Sequence, residues 1–316
     1  MKLITFCTED KPRVGIMTKW GILDIPAMLI SQESLQPDEV PGWAYEMVSL
    51  IENSSVVMPR LTSLVTRAHA TTGVQRSPYV LGPEQATVLA PIPRPRKNVF
   101  CVGLNYQSHA REGAAKAGRA PDPPEYPTFF SKSATSVIGP GAPIRWDPAI
   151  TQELDYEVEM GVIIGKKGID ISEDHAMQYV FGYTVVNDIS ARDLQRRHGQ
   201  WFKGKSLDDT CPMGPCIVTS DQLADIPDLA IALRLNGATM QASRTGLMVF
   251  SVAGLISQLS QGMTLEPGDI IATGTPGGVG FARHPPVFLQ EGDLLEAEIE
   301  RIGVLTNRVA RAERGL

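Results

Sequence analysis

Polar and apolar residues alternate through the stretch 155–160, and an unbroken apolar run follows as far as Ile164. The pattern predicts a strand that enters a buried core, because alternation of period two is typical of strands and a short apolar run is typical of buried ones. Side chains two residues apart lie on the same face of a strand. We therefore expect Asp155, Glu157 and Glu159 to share one face.

Two further apolar runs predict buried strands, one before this stretch and one after it. The first occupies 98–103 and ends at a glycine, and the second occupies 181–188 and ends at Asp188. A segment about as long as a strand–helix–strand unit separates Asp188 from Glu159. The two strands could therefore bring their carboxylates together.

The first part of the chain has the pattern of a small separate unit. A hairpin is predicted over 14–25, and the apolar spacing over 43–52 and 61–70 is typical of helices. The stretch 88–97 is rich in proline, which fixes φ and removes a donor, so an extended linker is expected there. These features predict a small N-terminal α/β domain over 1–90 and a catalytic domain over 91–316.

The acidic residues of the two strands suggest a cation site. Carboxylates that share a buried strand face repel one another, and a divalent cation removes the conflict. Oxygen ligands suit Mg²⁺ or Mn²⁺, and Ca²⁺ is also possible, so Glu157, Glu159 and Asp188 could form a metal shell. The alternative is a solvated strand face, as expected over 295–300, where glutamates alternate with apolar residues. Spacing alone leaves both interpretations open.

A candidate base follows the strand over 98–103. His109 and Glu112 lie three residues apart, so they would face the same way on a helical turn. A carboxylate beside an imidazole orients it and raises its basicity, which suits a general base that acts on water. The alternative is a surface helix pair without a catalytic role. The stretch 113–126 has no periodicity and predicts either a mobile lid or plain disorder.

Several other polar residues lie near the predicted strand ends. Arg192 and Gln195 follow Asp188 closely, and arginine suits either a bidentate grip on a substrate carboxylate or an ion pair with a neighbouring acid. Lys205 could stabilise an enolate near a metal. Lys132 could contact an anionic ligand or extend to the surface. Thr275, in a glycine-rich turn, could bind an anion together with backbone N–H groups.

Composition excludes several classes of protein. The chain has 316 residues, a net charge of −6, 43% hydrophobic residues and 20% charged residues, which is typical of a soluble globular protein and argues against nucleic acid as a partner. No apolar run approaches the ~20 residues of a membrane span, and the first residues lack the pattern of a secretion signal. Four scattered cysteines predict reduced thiols. These features predict a cytoplasmic protein.

Five ordered motifs together resemble the fumarylacetoacetate hydrolase superfamily, in particular its two-domain bacterial members. The motifs are VGLNYQSHAREG, LDYEVEMGVIIGK, FGYTVVNDISARDLQ, FKGKSLDDTCPMGP and LEPGDIIATGTPGGVG. The resemblance spans 98 to about 309. It implies an α+β, β-rich fold, with a C-terminal roll of mixed β-sheets that is usually dimeric.

The resemblance also implies roles for particular residues, and this chain shows no departure at the metal or base positions. The implied metal ligands are Glu157, Glu159 and Asp188; the implied catalytic residues are His109, Glu112 and Lys205; and the implied substrate contacts are Arg192, Gln195, Thr275 and Lys132. The implied cofactor is Mg²⁺ or Mn²⁺. The implied partners are a small 2-oxo or diketo carboxylate and a second copy of the chain.

The implied activity is chemistry on a 2-oxo acid, and the first expectation is hydrolysis of an acylpyruvate-like substrate. His109, oriented by Glu112, would deprotonate a water that attacks the distal carbonyl, and the cation and Lys205 would stabilise the leaving enolate. Decarboxylation or tautomerisation of oxaloacetate is the main alternative, followed by isomerisation or hydration of an unsaturated 2-oxo diacid. All of these reactions pass through the same kind of enolate, so the residues named do not separate them.

A non-enzymatic alternative is a structural cation site in a dimer-forming module. A structural site would have its coordination closed by protein oxygens, whereas a catalytic site keeps open positions that face the base. The position of His109 relative to the three carboxylates therefore distinguishes the two.

Overall fold

The protein is described by a computed structural model over residues 1–9, 11–71, 73–117, 124–223 and 228–312. Within these ranges the strands are β1 (Lys2–Thr8), β2 (Lys11–Thr18), β3 (Gly21–Asp24), β4 (Val80–Leu81), β5 (Thr87–Val88), β6 (Val99–Gly103), β7 (Thr128–Lys132), β8 (Val137–Ile138), β9 (Ile144–Trp146), β10 (Leu154–Asp155), β11 (Val158–Ile164), β12 (Val180–Asn187), β13 (Ser190–Ala191), β14 (Cys211–Thr219), β15 (Ala230–Leu235), β16 (Ala238–Arg244), β17 (Ile270–Ala272), β18 (Leu294–Ile299) and β19 (Gly303–Arg311).

The helices are short, apart from one in the N-terminal part. They are α1 (Ile25–Glu33), α2 (Met47–Glu52), α3 (Ser54–Ala70), α4 (Gln107–Ala117), α5 (Glu173–Ala176), α6 (Arg192–Arg197), α7 (Phe202–Lys205) and α8 (Val252–Ser260). The helices predicted over 43–52 and 61–70 correspond to α2 and α3. The first helix begins later than expected, because a 3₁₀ turn occupies Gly42–Ala44, and α3 begins earlier and contains Pro59. Of the helices in the described part of the chain, none has the length and apolar character needed to cross a membrane.

One large sheet connects the N-terminal part to the rest of the chain. Its main order is β4-β3-β2-β1-β14-β12-β11-β17-β6-β7, and β5 and β8 pair at its side with β1 and β14. The junction is the antiparallel pair β1–β14, in which Lys2 lies opposite Val218. Residues before 90 therefore share a sheet with residues beyond 91, and the division into domains 1–90 and 91–316 stays a prediction.

A second sheet has the order β16-β15-β18-β19-β9 and packs its apolar face into the core. Leu295, Ala297 and Ile299 of β18 are buried, whereas Glu296 and Glu298 face outward and pair with an arginine of β15. The predicted amphipathic strand is thus confirmed. Both parallel and antiparallel pairs occur among the described strands, so the expected α+β, β-rich fold with mixed sheets is confirmed as well.

The acidic stretch differs from its predicted form at one point. The single strand expected from Asp155 is two strands, because β10 ends at Asp155 and β11 begins at Val158. Asp155 pairs with Ser190 in a separate two-stranded ladder, and its carboxylate accepts hydrogen bonds from the backbone N–H groups of Tyr156 and Gly280. The prediction that Asp155 shares one strand face with the two glutamates is therefore wrong, since the ladder ends before the glutamates begin.

Candidate functional site

A cavity of about 860 Å³ opens where the central strands of the large sheet end. Its walls combine the end of β6, the first turns of α4, the start of β11, the helices α6 and α7, and the loops around 275 and 281–288. The sequence-predicted residues among its lining are His109, Glu157, Glu159, Arg192, Gln195, Lys205 and Thr275. The cavity therefore collects residues that lie far apart along the chain.

Strand pairing brings three carboxylates together, and two of them, Glu157 and Glu159, line this cavity. The strands β11 and β12 are antiparallel, with Glu159 opposite Val186, and Asp188 directly follows β12. The N–H of Asp188 donates to the carbonyl of Glu157 at 2.8 Å, and the side chain of Asn187 accepts from the N–H of Glu157 at 3.0 Å. Carboxylate oxygens of Glu157, Glu159 and Asp188 consequently lie within 4.8 Å of one another, and all three residues are buried.

Lys205 joins two of the three carboxylates. Its Nζ donates to Glu157 Oε2 at 2.7 Å and to Asp188 Oδ2 at 2.6 Å, and it lies 5.1 Å from the centre of the Phe130 ring. Burial alone would lower the pKa of Lys205, but the carboxylates of Asp188 and Glu157 raise it above its ordinary value. Lys205 is therefore a fixed ammonium, and two of its three N–H groups are in use.

Arg192 is bound by acids on the same side of the cavity. Its Nε donates to Asp155 Oδ2 at 2.9 Å, its Nη2 donates to Glu157 Oε1 at 2.6 Å, and its Nη1 donates to Gln195 Oε1 at 3.2 Å. The ring of Phe281 lies 4.5 Å from the guanidinium carbon. Of the two predictions for Arg192, the structure shows the ion pair, and the acids are Asp155 and Glu157.

Glu159 is in a different position, because no lysine or arginine in the described ranges forms an ion pair with it. Its Oε2 accepts a hydrogen bond from the N–H of Gly274 at 2.8 Å. Burial, and after it the charges of Asp188 and Glu157, raise the pKa of Glu159 well above its ordinary value. For Glu157 burial acts in the same direction, but Lys205 and Arg192 outweigh it and lower the pKa of that carboxyl.

Lys132 lies beneath the cavity and is completely buried. Its Nζ is 2.9 Å from Asp188 Oδ1 and donates to the backbone carbonyls of Ile189, at 3.0 Å, and Lys205. It is absent from the cavity lining. The structure therefore does not bring Lys132 to the place where a substrate contact would be, and it connects Lys132 instead to the backbone that carries Asp188 and Lys205.

Lys132, Arg192 and Lys205 share one connected network with the acids around them. We call this network the inner charge cluster, and its members are Asp155, Glu157, Glu159, Asp188, Lys132, Arg192 and Lys205. Four carboxylates in it face three fixed cations, so the cluster is short of positive charge.

His109 lines the same cavity, and Glu112 lies beside it. Both lie on α4, and His109 Nδ1 is 3.6 Å from Glu112 Oε2. Neither of these buried atoms has a hydrogen-bond partner in the described part of the chain. The other oxygen of Glu112 accepts from the N–H of Gly278 at 2.7 Å, and Ser108 Oγ accepts from the N–H of Gly277 at 3.0 Å. The helix is thus fixed to the glycine-rich turn, and the imidazole faces the cavity.

Thr275 supports the start of β11 from below. Its Oγ1 donates to the carbonyl of Val158 at 3.0 Å and accepts from Gln241 Nε2 at 2.8 Å, and Gln241 Oε1 accepts from the N–H of Val158.

Sequence reasoning missed Gln241, which lies in an ordinary strand pattern that gives no sign of a role in the site. It also missed Asn187, Trp201 and Phe281. Only Asn187, directly before Asp188, was adjacent to a recognised residue. Of the predicted lid over 113–126, residues 113–117 belong to the helix α4, and residues 118–123 lie outside the described residues.

The inner charge cluster fits a divalent cation. Its carboxylate oxygens are of the type that Mg²⁺ and Mn²⁺ prefer, they converge, and no lysine or arginine of the described residues pairs with Glu159. Because Arg192 and Lys205 pair with Glu157, and Lys205 and Lys132 pair with Asp188, the deficit of positive charge is concentrated at Glu159. The residues that could hold the cation are Glu157, Glu159 and Asp188.

The comparisons with known proteins agree with this geometry. The family model described as fumarylacetoacetate hydrolase C-terminal matches residues 98–310. Oxaloacetate tautomerase YisK of Bacillus subtilis is 50% identical over 220 residues, which cover 70% of this chain and 72% of that protein. The mitochondrial oxaloacetate tautomerase fahd2 of Xenopus laevis is 44% identical over 315 residues, covering 98% of this chain and 90% of that one.

A solved structure extends the likeness to the whole fold. The fumarylacetoacetate hydrolase of Exiguobacterium antarcticum is 36% identical, covers 99% of this chain and 100% of its own, and superposes with a TM-score of 0.77. The resemblance inferred from the five sequence motifs is therefore confirmed. The chain belongs to the fumarylacetoacetate hydrolase family.

Proposed function

We propose that the protein is a cation-dependent keto–enol tautomerase of a 2-oxo dicarboxylate of the oxaloacetate type. The observation that carries the proposal is one cavity lined by Glu157, Glu159 and His109, with the carboxylate of Asp188 within 4.8 Å of the two glutamates. Relatives that match most of the chain are named oxaloacetate tautomerases. Tautomerisation, an alternative from the sequence alone, thus replaces acylpyruvate hydrolysis as the preferred activity.

Tautomerisation needs a group that moves a proton between carbon and oxygen. A divalent cation held by Glu157, Glu159 and Asp188 would polarise the 2-oxo group and acidify the neighbouring C–H. His109 then takes a proton from that carbon, and the imidazolium gives a proton to the enolate oxygen, which completes the enol and restores the neutral base; the reverse reaction follows the same two transfers in the opposite order. Glu112 orients the ring and balances its charge. Lys205, which stays protonated, has one N–H left to donate to the developing oxyanion.

The structural-site alternative is disfavoured by the same geometry. A purely structural cation would be enclosed by protein oxygens, but here Glu157 and Glu159 line an open cavity that also contains His109. Hydrolysis is a second candidate, because a solved relative is named a hydrolase and because His109 with Glu112 could equally deprotonate water. The homodimer, the cytoplasmic location and the choice of metal stay predictions, and the Xenopus laevis relative is named as mitochondrial.

A substrate panel tests the proposed activity. Protein treated with EDTA is reconstituted with Mg²⁺, Mn²⁺ or Ca²⁺ and supplied with oxaloacetate, an acylpyruvate or an unsaturated 2-oxo diacid, and NMR identifies the products. We expect the enol and keto forms of oxaloacetate to interconvert faster without loss of carbon. Release of CO₂, or cleavage of the acylpyruvate, as the faster reaction would replace tautomerisation by decarboxylation or hydrolysis.

The role of His109 makes a separate prediction. We expect His109→Asn to lower kcat for tautomerisation by about 10²- to 10⁴-fold, the range attributed to general acid–base groups, with cation affinity unchanged. The matched control is His175→Asn, because His175 lies exposed on α5 and its ring forms a hydrogen bond with Ser172 Oγ, 2.9 Å away. Stopped-flow absorbance at the enol band measures the rate. If the two variants retained equal activity, His109 would not be the proton carrier.

A further inference from the structure

The charge of a dicarboxylate poses a problem for the cavity. In the inner charge cluster each of the three cations is already held in ion pairs with buried carboxylates. A divalent cation would turn the deficit of one positive charge into an excess of one, which a monocarboxylate would neutralise. A dicarboxylate brings a further negative charge to the far end of the substrate, and the cluster has no free cation for it.

One other arginine lines the cavity. Arg196 lies on α6 four residues after Arg192, so it occupies the same helix face one turn away. Its side chain is 62% exposed, in contrast to the buried guanidinium of Arg192. Of the arginines and lysines among the described lining residues, Arg196 alone lies outside the inner charge cluster.

The present partner of Arg196 is replaceable. Its Nη2 donates to both carboxylate oxygens of Glu153, at 2.8 and 2.7 Å, and Glu153 also lines the cavity. An exposed ion pair of this kind contributes little stability, so another carboxylate can exchange with Glu153 at small cost. Glu153 itself stays in place, because its backbone carbonyl accepts from the N–H of Arg192 at 2.9 Å.

We infer that Arg196 binds the distal carboxylate of the substrate and that Glu153 occupies Arg196 when the cavity is empty of dicarboxylate. The pair thereby makes the cavity selective for 2-oxo dicarboxylates over 2-oxo monocarboxylates. This inference rests on the proposed function, because it assigns the far end of the same substrate. It adds a specificity-determining residue that none of the sequence motifs indicated.

Steady-state kinetics with two substrates test the inference. In Arg196→Gln we expect KM for oxaloacetate to rise about 10- to 100-fold, as for a lost charge-assisted hydrogen bond, with kcat changed less than about threefold. KM for phenylpyruvate, a monocarboxylate, should not change. The matched control is Arg197→Gln, because Arg197 is the next residue of α6 and is exposed but does not line the cavity.

A variant of Glu153 should change KM in the direction opposite to that expected for Arg196→Gln. Removing the competing carboxylate in Glu153→Gln should lower KM for oxaloacetate by roughly two- to fivefold, the range of an exposed ion pair. Calorimetry supplies a readout without turnover: difluoro-oxaloacetate, which has no C–H to lose, should bind Arg196→Gln more weakly than wild type. Oxalate, which has no distal carboxylate, should bind both proteins equally.

Each outcome decides between the assignments. An unchanged KM for oxaloacetate in Arg196→Gln, or an equal rise for both substrates, would overturn the role of Arg196 even where tautomerisation is established. Absence of turnover in the wild type would refute the proposed function, and calorimetry would still show whether Arg196 distinguishes difluoro-oxaloacetate from oxalate. Equal loss of both probes in calorimetry would likewise overturn the inference.

Discussion

Glu159→Gln is expected to abolish cation-dependent turnover while leaving the cation-free protein at least as stable as wild type. Glu159 is the carboxylate of the inner charge cluster that no lysine or arginine of the described residues neutralises, so its loss leaves no buried cation behind. A glutamine can still accept from the N–H of Gly274. Loss of one ligand should lower kcat/KM by about 10³-fold or more, since a bound cation supplies several kcal/mol of charge stabilisation.

The pH dependence of stability shows in which direction Glu159→Gln should differ from wild type. Because folding raises the pKa of Glu159, the folded state favours the protonated carboxyl. The stability that Glu159 contributes is therefore fully present below its ordinary pKa near 4.5, and it is lost as the pH rises toward the raised pKa. Wild type in EDTA should therefore lose stability relative to Glu159→Gln as the pH rises above about 4.5, the ordinary carboxyl pKa. Urea unfolding between pH 4 and pH 8 measures the difference.

Asp188→Asn is the contrasting variant. Asp188 receives Lys205 at 2.6 Å and Lys132 at 2.9 Å, so the change leaves two buried ammonium groups short of a counter-charge. We expect this variant to lose turnover as well, but also to lose about 3–5 kcal/mol of stability, as when a buried ion pair is broken. Mn²⁺ should raise Tm of the wild type and of neither variant. Equal destabilisation of both variants, or full turnover in Glu159→Gln, would contradict the arrangement of charges.

How much of this site could be predicted depended on how local each signal was. The helical spacing of His109 and Glu112 is set within one turn, and the sequence sufficed to place them on one face. Asp188 follows a strand that pairs with the strand of Glu159, and the apolar runs before Asp188 and after Glu159 were enough to suggest that the two acids meet. These features follow from periods of 3.6 and 2, which the chain shows directly.

The remaining features depended on contacts between distant segments. Asp155 looked like a third acid of one strand, but its carboxylate is bound by the backbone of Gly280 and by Arg192, and neither is visible from spacing. The N-terminal strand β1 looked separate because a proline-rich stretch follows, yet it pairs with β14. Strand order across a sheet is set by which apolar faces pack together in three dimensions, and a single sequence carries no record of that pairing.

The position of Lys132 follows from a local sequence pattern, and the direction of its side chain follows from contacts between distant segments. The pattern placed it at the end of a strand, and β7 does end there, but the direction of its side chain depended on Asp188 and on the carbonyls of Ile189 and Lys205. A buried ammonium that holds the backbone of two reactive residues positions them without touching the substrate. We therefore treat Lys132 as a positioning residue, in contrast to the substrate contact expected from the sequence.

Lys132→Met tests this role with a large expected effect. The methionine fills a similar space, but it leaves two carbonyls without a donor and Asp188 without one of its two cations, so we expect a loss of about 3–5 kcal/mol in the free energy of unfolding. In the fraction that is folded, kcat should fall because Asp188 and Lys205 are no longer held in place, whereas KM should change little. Urea unfolding and steady-state kinetics measure the two quantities.

Lys203→Met is the matched control, because Lys203 lies on α7 two residues before Lys205 and is exposed. It removes the same charge from the helix whose Lys205 carbonyl Lys132 holds, so general electrostatic effects on an anionic substrate should appear in both variants and cancel in the comparison. A selective rise in KM for oxaloacetate in Lys132→Met, with stability and kcat at the control's level, would instead make Lys132 the substrate contact that the sequence predicted. If Lys132 positions Asp188 and Lys205, both the free energy of unfolding and kcat should fall in Lys132→Met.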